Sequence, residues 1–145
     1  MALEREFLSD SPRKTKKLGE ILAQSLKGGI LICLFGDLGG GKTTFAQGFA
    51  KGLGVKDKIT SPSFVLMKKY SLKKGLLDSF YHFDCYRLKN PGEILALGWE
   101  EIIAEPKSVV LVEWAEKIKK YLPKERINIR FEFIDKSKRK IVVSN

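Results

Sequence analysis

The residues with the clearest chemical potential lie at positions 36–43, where the sequence reads GDLGGGKT. This spacing matches the pattern G-x-x-x-x-G-K-[ST], with Gly36, Gly41, Lys42 and Thr43 at its fixed positions. Glycines let successive backbone N–H groups point inward at phosphate oxygens, a lysine at this position reaches the β and γ phosphates, and the following hydroxyl is a ligand for Mg²⁺. The pattern therefore predicts a phosphate loop that binds a nucleoside triphosphate with Mg²⁺.

Two acidic residues could complete such a site, because a P-loop ATPase needs an acid near Mg²⁺ and a group that orients the attacking water. Glu113 ends the apolar run VVLV as a Walker B acid does, although Asp is more usual there and Glu is one methylene longer. We expect Glu113 to bind Mg²⁺ directly or through water; the alternative is a carboxylate that favours the start of a helix at Ala115. For Asp84 we expect water orientation or metal binding; the alternative is a turn former or a partner for Arg87.

His82 and a hydroxyl-rich loop are further candidates. Strand alternation places His82 on the same face as Asp84. As the only histidine of the chain, His82 is open to two interpretations, a catalytic group or a hydrogen-bonded packing residue. The loop 60–63, TSPS, carries hydroxyls that could sense the γ phosphate like a switch, and an ordinary turn is the alternative.

Hydrophobic patterning predicts the elements that position these residues. The run ILICLF at 30–35 is continuously apolar, as in a strand covered on both faces, and a helix over 42–53 follows the glycine turn. An earlier helix begins after the N-cap Ser11, with a proline at its first position, and ends before Gly28. Further strands are predicted at 64–70, 79–86, 108–112, 126–134 and 140–143, the first two as a hairpin, and further helical segments at 91–103 and 115–122. The sum is an α/β fold, one P-loop domain over 1–145 with a mixed, mostly parallel central sheet flanked by helices.

Composition agrees with a single unit outside the membrane. With 145 residues, 43% of them hydrophobic, the chain can fill one core but not two. No apolar run is long enough to span a bilayer and the N-terminus lacks a secretory pattern, so we expect a cytoplasmic protein with no membrane partner. Cys33 and Cys85 lie in apolar runs without the spacing of a zinc site or redox pair, which predicts two reduced core residues.

The formal net charge of +10 favours anionic partners such as nucleotides, RNA or acidic protein faces. Part of this charge is concentrated in two small basic groups, which are either solvated surface or a contact surface for nucleic acid. The groups are Arg13, Lys14, Lys16, Lys17 and Lys136, Lys138, Arg139, Lys140.

Three other functions share parts of this pattern. A small-molecule kinase has the same loop but normally adds an acceptor pocket and an arginine-bearing lid, and the few arginines here are not grouped in that way. A GTPase is disfavoured because no N-K-x-D element for guanine occurs, so adenine is the expected base. A basic RNA-binding module could use the loop merely to hold RNA phosphate.

Five segments in order, GDLGGGKTTF, TSPSF, YHFDCYRL, LGWEEI and VEWAE, resemble the TsaE family over roughly residues 7–133. Members of that family are bacterial ATPases. Together with TsaB and TsaD, they are required to make threonylcarbamoyladenosine next to the anticodon of tRNAs that read codons starting with A. The resemblance implies Mg²⁺-dependent ATP binding and slow hydrolysis coupled to the TsaB and TsaD complex. It implies at most an indirect or weak contact with tRNA through the basic surface.

The resemblance also assigns roles to individual residues. It places the nucleotide phosphates on the phosphate loop, Mg²⁺ on Thr43 and Glu113, and a further site acid at Asp84, with Lys42, Asp84 and Glu113 as the catalytic set. Ser63 stands where the family commonly has Thr, so a hydroxyl is retained. The implied nucleotide-binding residues are Ser11, Gly36, Gly39, Gly40, Gly41, Lys42, Thr43, Thr44, Thr60, Ser61, Trp114, Glu116 and Arg139, of which Ser11 and Arg139 would border the adenine.

Overall fold

A single seven-stranded sheet carries the candidate site residues at one of its edges. The computed structural model describes residues 4–36, 41–57, 66–73 and 75–145. In chain order the elements are β1 (Glu4–Ser9), α1 (Pro12–Gln24), β2 (Ile30–Gly36), α2 (Lys42–Gly52), β3 (Met67–Ser71), β4 (Ser79–Asp84), a first 3₁₀ helix (Pro91–Leu97), α3 (Trp99–Ala104), β5 (Ser108–Glu113), a second 3₁₀ helix (Ala115–Tyr121), β6 (Ile127–Phe133) and β7 (Arg139–Ser144).

The strands lie in the order β1-β7-β6-β2-β5-β4-β3. The four central strands β6, β2, β5 and β4 run parallel to one another. Antiparallel strands flank them, β3 beside β4 on one side and β7 followed by β1 on the other. The predicted α/β fold with a mixed sheet that is mostly parallel at its centre is confirmed.

Two hydrophobic cores cover the two faces of the sheet, and β2 contributes to both. Ile32 and Leu34 face α1 and α2, where Phe45 and Phe49 are fully buried. Cys33, on the opposite face, belongs to the core that the 3₁₀ helices and α3 cover, together with Trp99. A strand buried on both faces must be apolar at every position, which explains the continuous run ILICLF.

Helices α1 and α2 pack closely because glycines line their contact. A Cβ added at Gly48 of α2 would collide with the backbone carbonyl of Lys16, and one at Gly19 of α1 would collide with the carbonyl of Phe45. This approach fixes α2, and with it the residues that follow the phosphate loop.

Three local features differ from the sequence predictions. Strand β1 was not predicted, because five of its six residues are exposed and it has no apolar face. The predicted helical segment 91–103 is a 3₁₀ helix and a short α-helix, since Gly98 between them adopts a left-handed conformation with φ of 84°. The predicted helix at 115–122 is a 3₁₀ helix with non-helical backbone at Ile118.

The remaining elements match their predictions closely. Ser11 is the N-cap of α1, and its side chain accepts a hydrogen bond from the Lys14 backbone N–H at 3.2 Å. The hairpin of β3 and β4 is present, although positions 64 and 65 of its predicted first strand lie outside the described residues.

Both cysteines are free and buried, as predicted. Burial raises the pKa of Cys33 and of Cys85 to about 12, so both thiols are protonated at neutral pH. Among the described helices, none combines the length and apolar character needed to cross a membrane.

Candidate functional site

The parallel register brings the carboxyl ends of β2, β5 and β4 to one edge of the sheet. Glu113, the last residue of β5, pairs with Leu34 of β2 on one side and with Asp84 of β4 on the other. Gly36, the last residue of β2, lies at the same edge, and its φ of 130° and contact with the Phe131 carbonyl leave no room for a Cβ. Ligands of open α/β sheets bind at this kind of edge.

Lys42, the first residue of α2, points back across the start of the loop. Its Nζ donates a 2.5 Å hydrogen bond to the carbonyl oxygen of Gly36 and lies 3.9 Å from the centroid of the Trp114 ring. Gly41 before it has φ of 99°, a left-handed conformation that favours glycine. Half-buried Thr44 follows in the first turn of α2, where backbone N–H groups lack intrahelical acceptors and suit a phosphate.

Thr43 and Glu113 meet as the two proposed metal ligands should. The Thr43 hydroxyl donates to Oε1 of Glu113 at 2.9 Å, and the Glu113 side chain is almost fully buried. Neighbouring ligands of an octahedral Mg²⁺ with bonds of about 2.0–2.1 Å would be roughly 2.9 Å apart. Both groups offer hard oxygen atoms of the kind that Mg²⁺ prefers, so Thr43 and Glu113 would suit Mg²⁺ as ligands.

The second oxygen of Glu113 contacts His82. The distance from His82 Nε2 to Glu113 Oε2 is 2.6 Å, and the imidazole is completely buried. The ring also stacks on Phe80, with centroids 6.2 Å apart and planes 9° from parallel. His82 is therefore a hydrogen-bonded core residue whose partner is the proposed metal carboxylate.

Asp84 and Trp114 each have a local structural contact. Oδ1 of Asp84 accepts the Tyr86 backbone N–H at 3.0 Å, so the turn-forming interpretation describes at least part of what this carboxylate does. Trp114 is the one non-glycine residue of the described chain with positive φ, at 59°. Its ring packs on Tyr86 with centroids 5.0 Å apart. Left-handed backbone is costly for a tryptophan, and such conformations concentrate at functional sites.

Glu116 joins the second 3₁₀ helix to the phosphate loop. Its Oε2 accepts the backbone N–H of Gly36 at 3.2 Å. Glu116 thus holds the residue where the loop begins, which is a positional role beside the nucleotide contact that the resemblance implies.

Ser11 and Arg139 lie at the same edge of the sheet but on the other side of β2. β1 pairs with β7 so that Ser9 is opposite Arg139, and Ser11 follows two residues later. The Arg139 guanidinium lies 4.6 Å from the centroid of the Phe133 ring. The site acids and these two residues therefore lie on opposite sides of β2 at this edge of the sheet.

Four predicted nucleotide-binding residues, Gly39, Gly40, Thr60 and Ser61, lie outside the described residues, as does Ser63. Among the contacts that were not predicted are that of His82 with Glu113 and that of Tyr86 with Trp114. The shared face of His82 and Asp84 was the one available signal for the first. Nothing in the sequence pattern pointed to the second.

Comparison with known proteins gives a consistent result. The family model described as threonylcarbamoyl adenosine biosynthesis protein TsaE matches residues 9–141. The chain is 42% identical over 119 residues to the tRNA threonylcarbamoyladenosine biosynthesis protein TsaE of Bacillus subtilis, covering 82% of this chain and 72% of that protein. It is 39% identical over 143 residues to the protein of the same description from Aquifex aeolicus, covering 97% and 96%.

A solved structure is also similar. The crystal structure of Bacillus subtilis YdiB superimposes with a TM-score of 0.78 at 36% identity. The match covers 99% of this chain and 86% of that chain.

Proposed function

The chain belongs to the TsaE family of tRNA threonylcarbamoyladenosine biosynthesis, and we propose that it is the component that binds and hydrolyses ATP, acting with TsaB and TsaD. One observation carries the proposal. The oxygens of Thr43 and Glu113 lie 2.9 Å apart at the start of α2, next to Lys42. A hydroxyl, a carboxylate and an ammonium group are the side chains that a P-loop ATPase requires around the β and γ phosphates.

The chain's own residues divide the work of hydrolysis. Lys42 exchanges the Gly36 carbonyl for phosphate oxygens and stabilises the negative charge that develops during transfer. Thr43 and Glu113 hold Mg²⁺, which when bound supplies further charge neutralisation on the phosphates. Asp84 orients the water that attacks the γ phosphate in line, from the strand next to Glu113.

The rest of the nucleotide extends over the opposite side of the loop. Ser11 and Arg139 border the adenine, since both lie at the sheet edge beyond β2. Trp114 and Glu116 approach the nucleotide from the β5 side, where they already contact Lys42 and Gly36. The undescribed Gly39, Gly40, Thr60 and Ser61 belong to the same proposed site.

ATP hydrolysis is coupled to a partner complex in this proposal, and threonylcarbamoyl transfer takes place elsewhere. Exposed lysines of both basic groups lie near the candidate edge, at the start of α1 and in the β6–β7 connection. Positive potential there favours an anionic partner and is consistent with a weak or indirect contact with tRNA. A cytoplasmic location belongs to the same proposal.

The test is ATP hydrolysis by the purified chain, alone and with TsaB and TsaD, measured alongside threonylcarbamoyladenosine formation on tRNA over many turnovers. We expect the partners to stimulate hydrolysis and the modification to continue only when this chain is present. ATP cleavage without any requirement for the chain in tRNA modification would contradict the proposal and favour a small-molecule kinase.

A further inference from the structure

Glu113 is one methylene longer than the aspartate that is usual in the Walker B position of P-loop ATPases, and the longer side chain needs an additional restraint to hold its carboxylate in place. An extra rotatable bond lets the carboxylate adopt more orientations, of which few place Oε1 beside Thr43. A longer ligand therefore needs an additional restraint if it is to present the same oxygen to a metal ion. The restraint has to come from a group that contacts the other oxygen.

His82 is in position to supply that restraint. On the sheet it pairs with Leu111, two residues before Glu113 and on the same face, so its ring points along the strands toward the carboxylate. The Nε2 to Oε2 distance of 2.6 Å is that of a strong hydrogen bond. The restraint uses the tautomer of His82 that carries its hydrogen on Nε2, which donates to the carboxylate oxygen.

A packing role alone does not explain why a histidine occupies position 82. The ring is fully buried next to Phe80, and Nδ1 has no hydrogen-bond partner among the described residues. A buried polar atom without a partner is unfavourable, and an apolar ring of similar size would avoid that cost. Among the contacts that His82 makes with the described residues, the hydrogen bond to Glu113 is the one that a phenylalanine could not reproduce.

We propose that His82 is a positioning residue that holds the Glu113 carboxylate by its Oε2 so that Oε1 faces Thr43 and the Mg²⁺ of the nucleotide complex. This inference rests on the proposed function, because it takes Glu113 as a metal ligand. His82 acts through Glu113 and does not touch the nucleotide. Partners that orient metal ligands commonly change metal affinity 10- to 100-fold when they are removed.

The experiment measures Mg²⁺ dependence without turnover. ADP affinity is determined by calorimetric titration at a series of Mg²⁺ concentrations and in EDTA, for the wild type, for four single variants and for the double variant His82→Phe/Glu113→Gln. His82→Phe removes the donor and keeps a flat ring, whereas His82→Gln restores an N–H near the position of Nε2. Leu111→Val is the matched packing control on the neighbouring strand, and Glu113→Gln tests the metal carboxylate itself. Thermal melting of each variant without nucleotide reports stability separately.

We expect His82→Phe to raise roughly tenfold the Mg²⁺ concentration that gives half of the Mg²⁺-dependent change in ADP affinity. The ADP affinity in EDTA should stay unchanged. His82→Gln should recover most of this loss, and Leu111→Val should show none of it. Combined with Glu113→Gln, His82→Phe should add little further effect, because the two residues act as one unit.

The opposite results are distinct. If His82→Phe and Leu111→Val have the same Mg²⁺ requirement while Glu113→Gln raises it, His82 only packs and the positioning role is wrong. If Glu113→Gln leaves the requirement unchanged, the metal site of the proposed function is wrong as well. Should His82→Phe not fold, His82→Gln and His82→Asn provide the same comparison, since only the longer amide reaches Glu113; equal Mg²⁺ requirements for these two would overturn the proposal.

Discussion

The ammonium nitrogen of Lys42 lies 3.9 Å from the centroid of the Trp114 ring. A cation over an indole face is stabilised by about 0.5–2 kcal/mol, depending on its exposure to solvent. The ring is held for this contact by left-handed backbone at Trp114 and by Tyr86 packed against it. The lysine that should meet the phosphates is thus coupled to a fluorescent side chain.

Nucleotide binding should change the emission of Trp114. Phosphate oxygens compete for the Lys42 ammonium, and its displacement from the indole face alters the electric field at the ring. We expect ATP titration to change tryptophan fluorescence in the wild type and in Trp99→Phe, because Trp99 is almost completely buried, with its ring on Phe83 and its indole N–H donated to the Tyr121 carbonyl oxygen. Trp114→Phe should abolish the response. A response that disappears with Trp99 instead would separate Trp114 from the nucleotide site.

Lys42→Ala should abolish tight ATP binding. A hydrogen bond to a charged group contributes about 1.5–3 kcal/mol, which corresponds to a loss of affinity of roughly 10- to 150-fold. Calorimetric titration with ATP and Mg²⁺ measures the change directly. Lys51→Ala is the control, since Lys51 is an exposed lysine in the last turn of the same helix. Equal affinities for the two variants would contradict the assignment of the phosphate loop.

Asp84→Asn should spare nucleotide binding and slow hydrolysis. The substitution keeps an oxygen that can accept the Tyr86 N–H, so the turn after β4 should survive. It removes the negative charge that would orient or deprotonate the attacking water, an effect of about 100-fold or more for general base catalysis. Turnover is compared with the wild type in the presence of TsaB and TsaD, with ATP affinity measured separately. Normal turnover in that assay removes Asp84 from the mechanism.

The central part of the fold could be predicted because its determinants are local. A run such as 30–35 has to be buried on both sides, and a glycine-rich turn followed by Lys42 has to begin a helix. Strand β1 could not be predicted from local sequence, because it forms by pairing with β7 and most of its side chains are exposed. The break at Gly98 was missed because a helical hydrophobic pattern does not reveal a left-handed residue within it.

The site residues, like the fold, were predictable only where the information is local in the sequence. Glu113 and Asp84 were identified from their places at the ends of apolar strands, which is local information. The hydrogen bond between His82 and Glu113 depends on which strands are neighbours and on their register. A single sequence contains no direct record of either. The contact between Trp114 and Lys42 depends on the left-handed backbone conformation of Trp114, directly after β5. Bulky residues rarely adopt this conformation, and no sequence pattern predicts it.

Gly48→Ala tests whether the close approach of α1 and α2 is required. Alanine in a helix interior gains about 1 kcal/mol over glycine from backbone entropy alone, so the isolated helix would be more stable. In the folded protein the new Cβ collides with the backbone carbonyl of Lys16, which cannot move without shifting all of α1. Overpacking of this kind costs about 1–3 kcal/mol. Because the obstacle is backbone, we expect the clash to exceed the gain and the free energy of unfolding in urea to fall.

Gly28→Ala is the matched control, with nothing within 4 Å of its added Cβ, and its stability should equal that of the wild type or slightly exceed it. A Gly48→Ala protein as stable as the Gly28→Ala protein would mean that the helices can separate at little cost, and that their contact does not fix the position of Lys42 and Thr43 at the head of α2.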